Sequence, residues 1–187
     1  MSKYIVQLVN TAKPIVTAFD NDVLAKNITT LDLLTPCNHE EADTRVFLHA
    51  KHMSDNEIKA ITIKTVNTDV VVIAISQFWL LNLDELWIEF GSGKDQMMYP
   101  IHQLSHMLGK DKSEGLLFIH AFTGCDQTSF LYHCKKKTAW MTWTNYEEAT
   151  EAFKILSNKP SKEDVLNCMD VLERFVILMY DKTCNTN

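Results

Sequence analysis

The sequence predicts an α/β fold with a helical C-terminal part, on three observations. Ala60–Thr65 (AITIKT) alternates apolar and polar residues and is rich in β-branched side chains, which marks a strand. From His102 onward the apolar residues recur at helical spacing. Strand and helix signals mix in the first half and helix signals alone follow, which suits an α/β layer carrying a helical extension.

A chain of 187 residues is long enough for one domain with a real core. With 46% apolar and 22% charged residues it has the balance of a globular protein, not of a disordered tail. The longest apolar runs, Val70–Ile75 and Phe175–Tyr180, fall far short of the roughly 20 residues of a membrane-spanning helix. Met1–Lys13 lacks the pattern of a signal peptide. The expectation is an intracellular protein of cytoplasm or nucleus, with no membrane partner. Cys37, Cys125, Cys134, Cys168 and Cys184 form no CxxC pair and no zinc spacing, so they are expected as free thiols packed as small apolar groups. A net charge of -6 with only two arginines, Arg45 and Arg174, argues against a whole-molecule field that attracts nucleic acid. Any contact with nucleic acid is expected to be local and weak. Nothing in the sequence sets an oligomeric state.

The elements follow in order. Tyr4–Val9 reads as a helix and Ile15–Ala18 as a short strand, followed by a polar stretch with Asp20 and Asp22. Pro36 ends an extended segment. Asn38 can cap a helix with Glu41 three residues on, as in a capping box, and that helix should run through Phe47 and Leu48 to about His52. Val70–Ile75 is open to two readings: propensity favours a strand, while its place just after another strand allows a helix leading to Trp79. Leu86–Phe90 and Met97–Ile101 flank Gly91-Ser92-Gly93-Lys94 as a hairpin. Ile101, Leu104, Met107 and Leu108 share one helix face. Leu116–Phe122 reads as a buried helix, Asp126 can cap another, and Tyr146–Leu156 reads as helical. Trp140 and Trp143 stand three apart, which suits burial of one helix face better than stacking on bases. The last helix has the clearest start, Ser161-Lys162-Glu163-Asp164 after Pro160, and Val165, Met169, Leu172, Val176 and Met179 then repeat at helical spacing.

Three acidic clusters carry the chemistry: His39-Glu40-Glu41-Ala42-Asp43-Thr44-Arg45 at a helix start, Asn67-Thr68-Asp69 just after a strand, and Thr123-Gly124-Cys125-Asp126 between helical stretches. Each puts a carboxylate at the end of a regular element, and sites in open α/β sheets form at the carboxyl ends of strands. Hard divalent cations take several such oxygens from different elements, and two ions together activate water and steady a departing oxygen. Each acid also has a plain structural reading: Glu41 as a capping-box partner, Asp126 as a helix cap, Asp69 as a first-turn acid. The residues alone leave both readings open.

HEEADTR, then NTDVVV after a strand, then HAFTGCDQTS resembles the flap-endonuclease branch of the PIN-like nucleases. The order looks especially like a group of uncharacterised animal proteins with HEEADTR, TDTDV and HALTGCDTTS. The resemblance covers about residues 36–145, so residues 1–187 are expected as a single PIN-like domain, truncated, with a helical C-terminal part over about 146–183. It implies a parallel central sheet flanked by helices. It also implies phosphodiester hydrolysis of nucleic acid by magnesium or manganese (Mg2+ or Mn2+). Glu41, Asp43, Asp69 and Asp126 would be the catalytic and metal-binding carboxylates, with Asn67 at a further ligand position and a metal-bound water as the attacking group.

The departures from the family pattern concern the chemistry. Its D-x-D reads Asn67-Thr68-Asp69 here, and an amide is a weaker ligand for magnesium than a carboxylate. The family also takes an aspartate from an N-terminal strand, which is expected to be missing from this chain; Asp20 and Asp22 match no motif. Related proteins carry a glycine-lysine-glycine-lysine turn behind the third motif. Here His133-Cys134-Lys135-Lys136-Lys137 has neither glycine, so side chains block a close backbone approach to phosphate. Lys135, Lys136 and Lys137 remain candidates for nucleic-acid contact, or form a solvated face. His120, six residues before Asp126, reads as a packed core histidine sooner than as a partner standing behind the acids, and Arg45 as a helix partner of Glu41 one turn back sooner than as a counter-charge to the acidic cluster. The expectation is a degenerate or incomplete nuclease-like domain with impaired activity. The alternative is a non-catalytic binding or scaffold module that keeps the fold.

Overall fold

The computed structural model describes residues 6, 8–19, 22–28, 31, 34–35, 42–125 and 135–181. Strand β1 (Ile15–Phe19) pairs antiparallel with β2 (Asp22–Lys26) in a two-stranded sheet of their own. The expected strand at Ile15–Ala18 is present, but Asp22 opens a second strand where the sequence read only as polar. Of the helix expected over Tyr4–Val9, Val6 and Leu8 have helical backbone, and residues 4, 5 and 7 lie outside the described residues.

Helix α1 (Ala42–Asp55) leads into β3 (Ala60–Thr65). It ends three residues beyond the expected His52, and the expected cap at Asn38–Glu41 lies outside the described residues. The apolar run after β3 is a helix, α2 (Thr68–Gln77), which resolves its two readings. Asn67 explains the outcome. Its backbone is extended, and its side chain accepts a hydrogen bond from Asp69 N, so the chain turns into a helix two residues past the strand. The β-branched propensity of Val70–Ile75 is overridden by burial, since Val70 and Ala74 pack into the core.

A 3-10 turn (Phe78–Leu80) follows, then β4 (Glu85–Phe90) and β5 (Met97–Pro100). The sheet order is β3-β4-β5. β3 and β4 are parallel with Ile63 opposite Ile88, because α2 provides the crossover. β5 is antiparallel to β4, with Tyr99 opposite Ile88. The sheet is therefore mixed, not wholly parallel as expected: the connection from β4 to β5 is too short for a crossover, so it forms the hairpin read from the sequence. Gly91 enters that turn at φ +94°, and a Cβ there would lie 2.9 Å from the Asp95 carbonyl oxygen.

The rest is helical: α3 (Ile101–Leu108), α4 (Lys110–Phe122), α5 (Lys136–Asn145), α6 (Ala149–Ser157) and α7 (Lys162–Tyr180). Met107 does not share the buried face of α3. It is 85% exposed because it lies about 120° around the helix from Ile101. On α7 the capping box forms as the sequence indicated, with Ser161 N donating to Asp164 Oδ2 at 2.8 Å and Asp164 N donating to Ser161 Oγ at 3.1 Å. Its buried face runs through Cys168, Phe175 and Met179, while Val165 and Met169, expected on that face, are exposed.

Apolar side chains gather in two clusters among the described residues. One joins Phe47 and Ala50 of α1 to the sheet residues Ile61, Ile63, Leu86 and Ile88. The other joins Ile119, Trp143, Phe153, Phe175 and Met179 of the helical part. Trp143 is buried as expected, whereas Trp140 is exposed. Helix α4 packs on both α2 and α6, so it ties the helical part to the sheet layer. The close approach to α6 requires Gly115, since a Cβ there would lie 3.0 Å from Phe153 Cβ. No helix among the described residues is long and apolar enough to cross a membrane.

Candidate functional site

The carboxyl end of β3 and the N-termini of α1 and α2 bring their polar residues together. Asn67 N donates to Thr65 Oγ1 at 3.0 Å, which fixes the turn out of the strand. The Asn67 side chain then faces two ways. Its Oδ1 accepts from Asp69 N at 2.9 Å, and its Nδ2 donates to Asp43 Oδ2 at 2.6 Å. Reversing the amide would set oxygen against carboxylate and NH2 against N–H, so the two partners fix its orientation.

The contacts continue from Asp69. His120, near the end of α4, has its Nε2 2.9 Å from Asp69 Oδ1. Lys136, the first residue of α5, places Nζ 3.2 Å from His120 Nδ1 and 3.0 Å from the His120 carbonyl oxygen. A lysine ammonium only donates, so Nδ1 accepts and Nε2 carries the hydrogen that Asp69 receives. Thr123 donates its hydroxyl to the Ile119 carbonyl at 2.6 Å, and its oxygen lies 3.5 Å from Lys136 Nζ. Partial burial lowers the Lys136 pKa from its ordinary value, while the negative charges of Cys125 and Asp69 act to raise it.

Of the acids singled out in the sequence, the Asp43 carboxylate and the backbone N–H of Asp69 share the Asn67 side chain, while the Asp69 carboxylate turns to His120. Glu41 and Asp126 lie outside the described residues. Cys125, the neighbour of Asp126, follows a turn in which Gly124 takes φ +96°. Of the two readings of His120 the favoured one, a packed core histidine, gives way to the other: it stands behind the acids, joining Asp69 to Lys136. The sequence could not name Asp69 as its partner, since 51 positions separate the two. Lys135, Lys136 and Lys137 are all exposed, as a solvated face would be, but the Lys136 ammonium lies against the end of α4, on the His120 carbonyl and ring. Arg45 is buried and donates through Nη2 to the Leu34 carbonyl, while Nε and Nη1 find no partner among the described residues. Cys125 and Cys168 form no disulfide, and Cys168 is buried as a small apolar group.

Among the described residues no group of three or more histidine, cysteine, aspartate or glutamate side chains is placed to hold a metal ion. Asn67 presents NH2, not oxygen, to Asp43, and Asp69 faces a ring N–H. Comparison with protein-family models, with curated proteins and with solved structures gave no match.

Proposed function

We propose that this chain is a degenerate PIN-like domain, descended from metal-dependent nucleases, in which hydrogen bonds have taken over the carboxylate cluster. The observation that carries this reading is the Asn67 bridge between Asp43 and the start of α2. A two-ion phosphodiesterase site needs several carboxylates facing one another, and these repel until cations arrive. An aspartate at position 67 would add such repulsion beside Asp43. The amide replaces it with attraction, so these residues hold together without an ion. The order of elements also supports the reading. An acid opens α1, a second opens α2 after β3, and the third motif begins at the end of α4 beside the same group. Among the described residues, Asp43, Asn67 and Asp69 do not by themselves fit a magnesium or manganese site.

The experiment is a cleavage assay with Mg2+ or Mn2+ on single-stranded and flapped DNA and RNA. The expected result is no turnover above background. Clean metal-dependent turnover that Asp126→Ala abolishes would overturn the reading.

A second reading, a binding or scaffold module on the same fold, is favoured by an open apolar groove lined by Ile75, Leu104, Met107, Leu108, Leu116 and Trp140. Met107 and Trp140 are exposed there. Lys135 and Lys137 leave room for weak nucleic-acid contact, which salt would readily suppress.

A further inference from the structure

We propose that Lys136 is the resident cation of this cluster: its ammonium, acting through His120 on Asp69, supplies the positive charge that a divalent ion would bring. This inference rests on the metal-free reading of the cluster given above.

The geometry favours the charged form. Nζ has three acceptors around it, His120 Nδ1 at 3.2 Å, the His120 carbonyl at 3.0 Å and Thr123 Oγ1 at 3.5 Å. An ammonium has a hydrogen for each, and a neutral amine does not. Thr123 is oriented to match, because its own hydrogen goes to the Ile119 carbonyl and leaves a lone pair for Lys136.

The position of Lys136 makes the same point. It is the first residue of α5, a helix with no acid in its first turn. The positive end of a helix dipole disfavours lysine there, so helix formation does not explain the residue. Nearby negative charge offsets that cost. Burial lowers the Lys136 pKa from its ordinary value, and Cys125 after α4 and Asp69 on α2 act against that shift. Lys136 also holds His120 in one tautomer and aims Nε2–H at Asp69. An incoming divalent cation would meet like charge at Lys136 and a hydrogen bond already made on Asp69 Oδ1.

The test measures Mn2+ binding to the full chain by electron paramagnetic resonance. Lys136→Met should bind at least about tenfold more tightly than the wild type. Lys136→Arg, Lys135→Met and Lys137→Met should stay within about threefold, the first because the charge is kept and the last two because it is the Lys136 ammonium that sits on His120. Equal tightening by Lys136→Met and Lys135→Met would overturn the proposal, since any lost surface charge would then suffice. A readout on the unaltered protein covers the case in which Lys136→Met does not fold: 15N spectra of the histidines should show His120 with its hydrogen on Nε2, and a hydrogen on Nδ1 would overturn the proposal. Tight Mn2+ binding by the wild type would instead defeat the metal-free reading beneath it. Weak binding by both wild type and Lys136→Met would defeat only the role of Lys136.

Discussion

Asn67 Nδ2 donates to Asp43 Oδ2 across 2.6 Å, joining the turn after β3 to the first turn of α1. One neutral side chain thereby sits where a carboxylate would repel its neighbour. Asn67→Asp isolates this relationship, because aspartate caps a helix as well as asparagine does and leaves the α2 cap intact. The variant should lose about 1–3 kcal/mol of stability in the absence of metal, through the lost donor and the new like-charge pair. Thermal unfolding in chelator measures the loss, and Mn2+ should reverse part of it. An Asn67→Asp variant as stable as the wild type in chelator would mean that the bridge contributes little.

His120 joins Asp69 to Lys136, so their effects should not add. A double-mutant cycle on His120→Ala and Lys136→Met should give a coupling of about 0.5–3 kcal/mol. Additivity within a few tenths of a kcal/mol would show that the three side chains act independently.

His49 on α1 has a pKa below its ordinary value, first through burial and then through the positive charges of Arg45 and His52. The folded state therefore disfavours the charged ring, and the unfolded chain takes up the proton first. Stability is retained above the unfolded value near about 6.5 and falls as pH drops through it toward the lower folded value. His49→Gln should flatten the dependence of the unfolding midpoint on pH between about 7 and 5 relative to the wild type. Parallel curves for the two proteins would contradict this assignment.

Gly115 lies inside α4, where alanine would ordinarily gain about 1 kcal/mol in helix propensity. Here the added methyl meets Phe153 Cβ, which is fixed to the α6 backbone and cannot swing away. Overpacking costs about 1–3 kcal/mol, so Gly115→Ala should be neutral to destabilising and Gly115→Val clearly destabilising. Chemical denaturation checks the order; a stabilised Gly115→Ala would mean that α4 and α6 separate at little cost.

Local signals in the sequence carried much of the fold. The alternation of Ala60–Thr65, the hairpin glycine at position 91 and the Ser161–Asp164 cap each act within a few residues, and each appears where the sequence placed it. The readings that held only in part depended on tertiary context. On α7, Leu172, Val176 and Met179 face the core as their spacing indicated, while Val165 and Met169 do not, and Cys168 and Phe175 complete the buried face. β5 runs antiparallel to β4, as the hairpin reading requires; it is the wholly parallel sheet implied by the family resemblance that does not hold. In the site, two of the positions that the motifs singled out contact Asn67, Asp43 through its carboxylate and Asp69 through its backbone N–H. They did not reveal His120 and Lys136 as partners, because a histidine in an apolar helix and a lysine in a triplet give no signal of what they face across the fold.

The central claim is that hydrogen bonds, not ions, hold Asp43 and Asp69 in place. Its most direct test is the unfolding midpoint of the unaltered protein in excess chelator and in millimolar Mn2+. Linkage raises the midpoint of any protein whose folded state binds the ion, and it leaves the others unchanged. The account predicts equal midpoints under the two conditions. A rise of several degrees in Mn2+ that Asp69→Asn removes would contradict it.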